Sequence, residues 1–288
     1  VWSARMSHQD LTFPFLSPEG FMPICYRQWG DPDNPKVLIC VHGLSRNRMD
    51  FDELSQTLSD RYRVMSIDMP GRGGSGWLQD KEAYAIPLYE QVCATAVAVS
   101  GAVEVDWVGT SMGGLIGMGM AARPGSPIRR LVLNDIGPHV PAAGRRDNQA
   151  AFGDDPQFKD FEAAVAWHKE HRSGFGPMPE DGWRQMTEVS LRPLEDGGYA
   201  LHYDPGLAIN QKREPVEDID LWGVWEQIRC PLLTVWGTES KLLLADDLRR
   251  MQDSGPRTQV LPVEDVGHAP RLSGEAVIGG IAEFLAAG

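Results

Sequence analysis

The run Val105-Asp106-Trp107-Val108-Gly109-Thr110-Ser111-Met112-Gly113-Gly114 constrains this chain more than any other stretch. An apolar segment that reads as a buried strand ends near Gly109, and a small-residue segment that reads as a helix begins after Ser111. A tight strand-to-helix turn must join them, with Ser111 at its apex in a strained backbone conformation. Side chains two positions before and after the serine would collide in such a turn, which accounts for Gly109 and Gly113. Gly114, Gly117 and Gly119 then let the helix lie close against a sheet. The positive end of that helix sits beneath the serine, where an oxyanion would form.

Other segments supply the sheet. Val37–Val41, Tyr62–Ile67, Val103–Val108 and Leu131–Asn134 are short continuous apolar runs, as expected of strands buried on both faces. Phe51–Asp60, Ala83–Ser100 and Met112–Ala122 lie between them and read as crossover helices. The alternation predicts an α/β fold with a doubly wound, mostly parallel sheet. From about Gly137 the strand signal fades. Phe158, Phe161, Val165 and His168 follow helical spacing there, and Trp167, Trp183, Trp222 and Trp225 are scattered through the segment. A strand returns at Leu232–Trp236, followed by a helix at Ala245–Asp253, a strand at Gln259–Val263 and a closing helix at Glu275–Ala286. Because the aromatic-rich stretch interrupts a sheet that later resumes, it reads as an inserted helical cap. The expected organisation is a core of residues 1–136 and 229–288 with a cap of residues 137–228.

Forty acidic against 27 basic residues give a net charge of −13. Such a surface repels phosphate backbones and anionic lipid heads, so no nucleic-acid or membrane partner is expected. No apolar stretch reaches bilayer-spanning length, and the residues around Met6 lack a signal-peptide pattern, so the expected location is cytoplasmic. The four cysteines, Cys25, Cys40, Cys93 and Cys230, show no metal-ligand spacing, and Cys40 and Cys230 read as small buried hydrophobes. No metal cluster is visible, and the Gly71–Ser75 turn lacks the Lys-Ser/Thr of a phosphate loop, so no metal or cofactor is expected.

Four motifs in order resemble those of the α/β-hydrolase superfamily. Val41-His42-Gly43-Leu44 resembles its HG motif, and Asp68-Met69-Pro70-Gly71-Arg72-Gly73-Gly74-Ser75 resembles its D-x-x-G-x-G-x-S turn. The serine run is the third, and Val266-Gly267-His268-Ala269-Pro270 resembles the loop that carries the catalytic histidine. The resemblance covers essentially the whole chain and implies an α/β-hydrolase fold. It implies Ser111 as nucleophile, His268 as general base, and an oxyanion hole built from the backbone N–H groups of Leu44 and Met112, with Gly43 as the fallback for Leu44. His42 takes a supporting role in that pattern.

The acid departs from the pattern. The family places it after the seventh strand, where this chain reads Trp236-Gly237-Thr238-Glu239-Ser240-Lys241, with Ser240 at the acidic position. Some branches carry the acid at the end of the sixth strand, and Leu131-Val132-Leu133-Asn134-Asp135 offers Asp135 there. Asp135 is the expected acid, with Glu239 and Asp246 as alternatives.

These residues point to a serine hydrolase acting on a small-molecule ester or lactone as a monomer or homodimer. Carbon–carbon bond hydrolysis and acyl transfer remain open on the same triad. A ligand receptor with vestigial hydrolysis is the alternative of another class. Arg46, just past the oxyanion loop, is a candidate clamp for a substrate carboxylate, or else an ion-pair partner of Asp50 or Asp52. Trp167 and Trp183 are candidate walls of an acyl pocket, although core packing accounts for tryptophans equally well.

Overall fold

In the first strand, Phe13 and Phe15 are buried between exposed neighbours, the period-two pattern of a strand with one covered face. β1 (Gln9–Ser17) pairs antiparallel with β2 (Gly20–Trp29), and the Ser17 hydroxyl donates to the Gly20 carbonyl at 2.8 Å to close the hairpin. Neither strand was separated by the sequence reading, because Pro14, Pro18 and Pro23 break up the apolar signal. The structure is a computed structural model and describes residues 8–150, 155–195, 197–212 and 215–287. The segment before Met6 lies outside them.

The expected alternation follows in β3 (Val37–Val41), α1 (Asp52–Leu58), β4 (Arg63–Ile67), α2 (Ile86–Ser100), β5 (Val105–Thr110), α3 (Met112–Ala121) and β6 (Ile128–Asn134). The intervening segment contains α4 (Ala142–Ala150), α5 (Phe161–His171) and α6 (Glu180–Ser190). The chain then returns to the sheet through β7 (Leu232–Gly237), α7 (Ala245–Asp253), β8 (Gln259–Val263) and α8 (Glu275–Ala286). The sheet has eight strands in the order β1-β2-β4-β3-β5-β6-β7-β8, parallel from β4 onward and antiparallel at β1 and β2. Both faces are covered. Val37, Ile39 and Val41 pack into one apolar cluster with residues of α2 and α3, while Leu38 and Cys40 pack into another with residues of α1 and α8. That two-sided burial explains why these strands read as unbroken apolar runs.

Residues 137–228 are less purely helical than expected. Gln157–Phe158, Tyr199–Leu201 and Leu191–Pro193 form a three-stranded sheet, and His139–Val140 pairs with Ile219–Asp220. Strands of two or three residues are too short to show a period. Phe158 therefore belongs to a strand and not to the helix its spacing suggested. Asp160 sets the boundary, its carboxylate accepting from the Ala163 N–H to cap α5. The histidines here also differ from the expected exposure. His168 is 1% exposed, His139 and His202 are half-buried, and only His171 is fully at the surface. Cys230 is half-buried, whereas Cys25, Cys40 and Cys93 are buried; all four thiols are free. Among the described residues, no helix is long and apolar enough to cross a membrane.

Candidate active site

At the end of β5 the chain turns into α3 through Ser111, whose φ of 51° and ψ of −112° lie outside the usual wells. The Ser111 N–H donates to the Asn134 carbonyl at 3.0 Å, and the Ser111 carbonyl accepts from Gly114 and Leu115. A Cβ on Gly109 would overlap the Gly113 carbonyl, and one on Gly113 would overlap the Val41 carbonyl. Any residue larger than glycine would force the turn open.

His268 lies on the loop after β8. Its Nε2 is 2.8 Å from the Ser111 Oγ, and its Nδ1 is 2.8 Å from the Asp135 Oδ2. The loop is held by the Gly267 N–H donating to the Gly174 carbonyl at 3.0 Å, and by the Asn134 amide donating to the Pro270 carbonyl at 2.9 Å. Asp135 is fully buried just past β6 and has a φ of 55°. Its Oδ1 accepts from the Gly237 N–H at 2.9 Å, and its Oδ2 accepts from the Ser240 hydroxyl at 2.6 Å. Ser240, at the position where the resemblance places an acid, thus donates a hydrogen bond to Asp135. Glu239 and Asp246 do not take part: both are exposed, and Asp246 pairs with Arg249.

The turn after β3 completes the arrangement. A Cβ built on Gly43 would stand 3.6 Å from the Ser111 Cβ, so the loop abuts the serine. Among the described residues, neither the Leu44 N–H nor the Met112 N–H is taken up by a protein acceptor. His42 is fully buried. Its Nδ1–H donates to the Gly43 carbonyl at 2.7 Å and its Nε2 accepts from the Met69 N–H at 3.0 Å. That pattern requires the Nδ1-protonated tautomer, and burial depresses its pKa to about 4. Arg72, also fully buried, reaches the loop and the elbow together. It donates to the Leu44 carbonyl at 2.8 Å, to the Tyr89 hydroxyl at 2.8 Å and toward the Met112 sulfur at 3.5 Å.

Of the candidate substrate-binding residues, Arg46 is already engaged. Its guanidinium grips both oxygens of Asp50 and donates to the Ser190 hydroxyl, so every donor nitrogen has a partner. The ion-pair reading anticipated for Arg46 describes this geometry. Trp183 lies with Val165 and Met186 in a small apolar cluster of the inserted segment. Trp167 is half-buried, stacked on His171 at 4.6 Å and beneath the Arg172 guanidinium at 5.6 Å. Arg172 did not stand out in the sequence, because its lack of an acidic partner is a tertiary property. Among the described residues, no group of three or more His, Cys, Asp or Glu is disposed to hold a metal ion.

A mostly parallel sheet that presents a serine on such a turn, opposite a histidine from the loop after its last strand, is the architecture of a hydrolase. The chain belongs to the alpha/beta hydrolase family, which it matches over residues 38–279. It is 40% identical over 278 residues to the 3-hydroxybutyrate-oligomer hydrolase of Cupriavidus necator, covering 94% of this chain and 95% of that protein. It is 26% identical to the pimeloyl-[acyl-carrier protein] methyl ester esterase of Vibrio cholerae, across 85% of this chain and 92% of the relative. An alpha/beta hydrolase from Novosphingobium aromaticivorans superposes with a TM-score of 0.85 at 28% identity over 99% of each chain.

Proposed function

We propose that this enzyme cleaves a carboxylic ester or lactone through an acyl-enzyme on Ser111. The observation that carries this reading is the unbroken hydrogen-bond path from the Ser111 Oγ through both ring nitrogens of His268 to Asp135, at 2.8 Å and 2.8 Å. His268 Nε2 takes the hydroxyl proton as Oγ attacks the carbonyl carbon, and the oxyanion is received by the Leu44 and Met112 N–H groups. The imidazolium then gives that proton to the leaving alcohol, which departs as the acyl-enzyme forms. Water, deprotonated by the same nitrogen, releases the acid and restores Ser111. Asp135 keeps the proton on Nδ1 and stabilises the imidazolium.

Residues 137–228 act in this reading as a cap. Support comes from three contacts with the loops around the site: Arg46 to Ser190, the Asn47 amide to the Val189 carbonyl at 2.6 Å, and Gly267 to Gly174. The names of the two relatives described above favour ester chemistry. One acts on a methyl ester, the other on an oligomer of a hydroxy acid, whose units join as esters. The contact between His268 and Asp135 speaks against a vestigial, receptor-like site.

A fluorophosphonate probe tests the assignment. One serine is expected to be labelled in the native protein and none after Ser111→Ala, with hydrolysis of p-nitrophenyl esters lost in parallel. Labelling that persists in Ser111→Ala would remove the proposal.

A further inference from the structure

Arg172 is half-buried at the end of α5, and among the described residues no carboxylate pairs with it. Its contacts are the Ser45 hydroxyl, 3.5 Å from one guanidinium nitrogen, and the face of Trp167. Burying a guanidinium without an anion is costly. Burial, and then the charge of Arg46, hold the group below its ordinary range at about 10, so it remains protonated at neutral pH. Arg46 and Arg48, which follow Ser45 on the same loop, differ in that respect. Arg46 is closed off by Asp50, and Arg48 pairs with Asp68 and Asp10.

Two independent contacts place Arg172 at the mouth of the catalytic centre. Ser45 directly follows Leu44, and Gly43 of the same loop abuts Ser111. On its other side, the Arg172–Gly176 stretch bears on the histidine loop. The Gly174 carbonyl accepts from Gly267, and a Cβ on Gly176 would strike the Val266 side chain. The guanidinium is therefore on the order of 10 Å from the serine hydroxyl, the reach of two or three residues of chain. A short acyl or hydroxyacyl unit spans a comparable length.

We propose that Arg172, stacked on Trp167 and flanked by Ser45, binds a free carboxylate of the substrate and makes this enzyme selective for short esters that carry a terminal acid. The planar guanidinium meets a carboxylate through paired N–H donors, and the Trp167 ring fixes its plane. An anion here also neutralises a positive charge that no carboxylate matches among the described residues. This inference rests on the ester-hydrolase reading. It adds that the carboxylate lies at the far end of the acyl chain, on the side of the scissile bond that Ser111 retains, with the scissile carbonyl set by its distance from Arg172.

The test compares glutarate mono-p-nitrophenyl ester, which bears a free acid, with its neutral methyl-capped analogue. The native enzyme is expected to favour the acid ester in kcat/KM, mainly through KM. Arg172→Gln should lower that preference about 10–100-fold, as for loss of a charged hydrogen-bonded pair. Arg172→Lys should recover part of it, and Arg184→Gln, on the exposed face of α6, should leave it unchanged. Equal effects of Arg172→Gln on both esters, or no native preference, would overturn the assignment. Calorimetric binding of glutarate to Ser111→Ala separates this idea from the hydrolase reading. Binding that disappears with Arg172→Gln supports the clamp even if neither ester is turned over, and binding that survives the substitution refutes it.

Discussion

Asp135 has a left-handed backbone, is fully buried, and still places its carboxylate against an imidazole. Aspartate tolerates positive φ better than most residues, and here the Asp135 N–H donates to the Val235 carbonyl at 2.8 Å to hold the turn. Three donors then meet its two oxygens: Gly237, Ser240 and His268. Asp135→Asn keeps the shape and removes the charge, so the wrong imidazole tautomer is favoured and kcat is expected to fall by about 10³–10⁴ with little change in KM. Glu239→Gln should leave steady-state kinetics on p-nitrophenyl acetate near native values. An active Asp135→Asn beside an inactive Glu239→Gln would reverse the assignment. Ser240→Ala removes one donor to a buried carboxylate and should cost about tenfold in kcat, between those two cases. The turn at Ser111 and the loop position of His268 were legible because strand, turn and glycine spacing set them locally. Asp135 was legible only as a strand-end acid beside a broken motif. Ser240 looked like a loss because nothing in the sequence brings it to Asp135, and Arg172 was invisible for the same reason.

At the scale of elements, the core helices and strands were readable wherever both faces of the sheet are covered. The hairpin of β1 and β2 and the miniature strands of residues 137–228 were not, since they are stabilised by pairing across the chain and not by a local period. The two tryptophans singled out there differ in what they touch. Trp183 is 9% exposed and holds α5 and α6 together with Val165 and Met186. Trp183→Ala should therefore loosen the inserted segment by about 3–5 kcal/mol. Limited proteolysis would cut within residues 160–190 while fluorophosphonate labelling of Ser111 persists. Trp167→Ala removes the platform beneath Arg172, so it should alter the preference between acidic and neutral esters and leave proteolytic resistance near native. Matching profiles for the two variants would mean that both tryptophans are packing residues only.

Across the whole molecule, buried imidazoles make the fold sensitive to acid, for a reason separate from its net charge. His42 and His168 are 0% and 1% exposed, and burial lowers their pKa values to about 4 and about 3, from an ordinary 6.5. A histidine whose folded pKa is depressed takes up its proton more readily when unfolded. Above pH 6.5 both states are neutral and the groups contribute nothing to the pH dependence. Below it the unfolded chain gains protons first, so stability falls by about 1.4 kcal/mol per pH unit for each histidine until the folded pKa is reached. The two together act over roughly pH 6.5 to 4, and a loss of several kcal/mol there is comparable to the whole stability of many domains. Asp10 extends the same trend to lower pH, since its hydrogen bond to Arg27 holds its pKa below the ordinary value and that contribution is lost as it protonates. Thermal unfolding followed at pH 7.5, 6.5, 5.5 and 4.5 should show Tm nearly constant between the first two and falling steeply after. His168→Gln can still donate to the Ala164 carbonyl, which accepts from His168 Nδ1 at 2.9 Å in the native protein. It should lower Tm at neutral pH and make the decline below pH 6.5 shallower, leaving His42 and His202, whose pKa burial also lowers, to supply the remainder. An undiminished slope in His168→Gln would show that protonation of the His168 imidazole does not drive the loss of stability in acid.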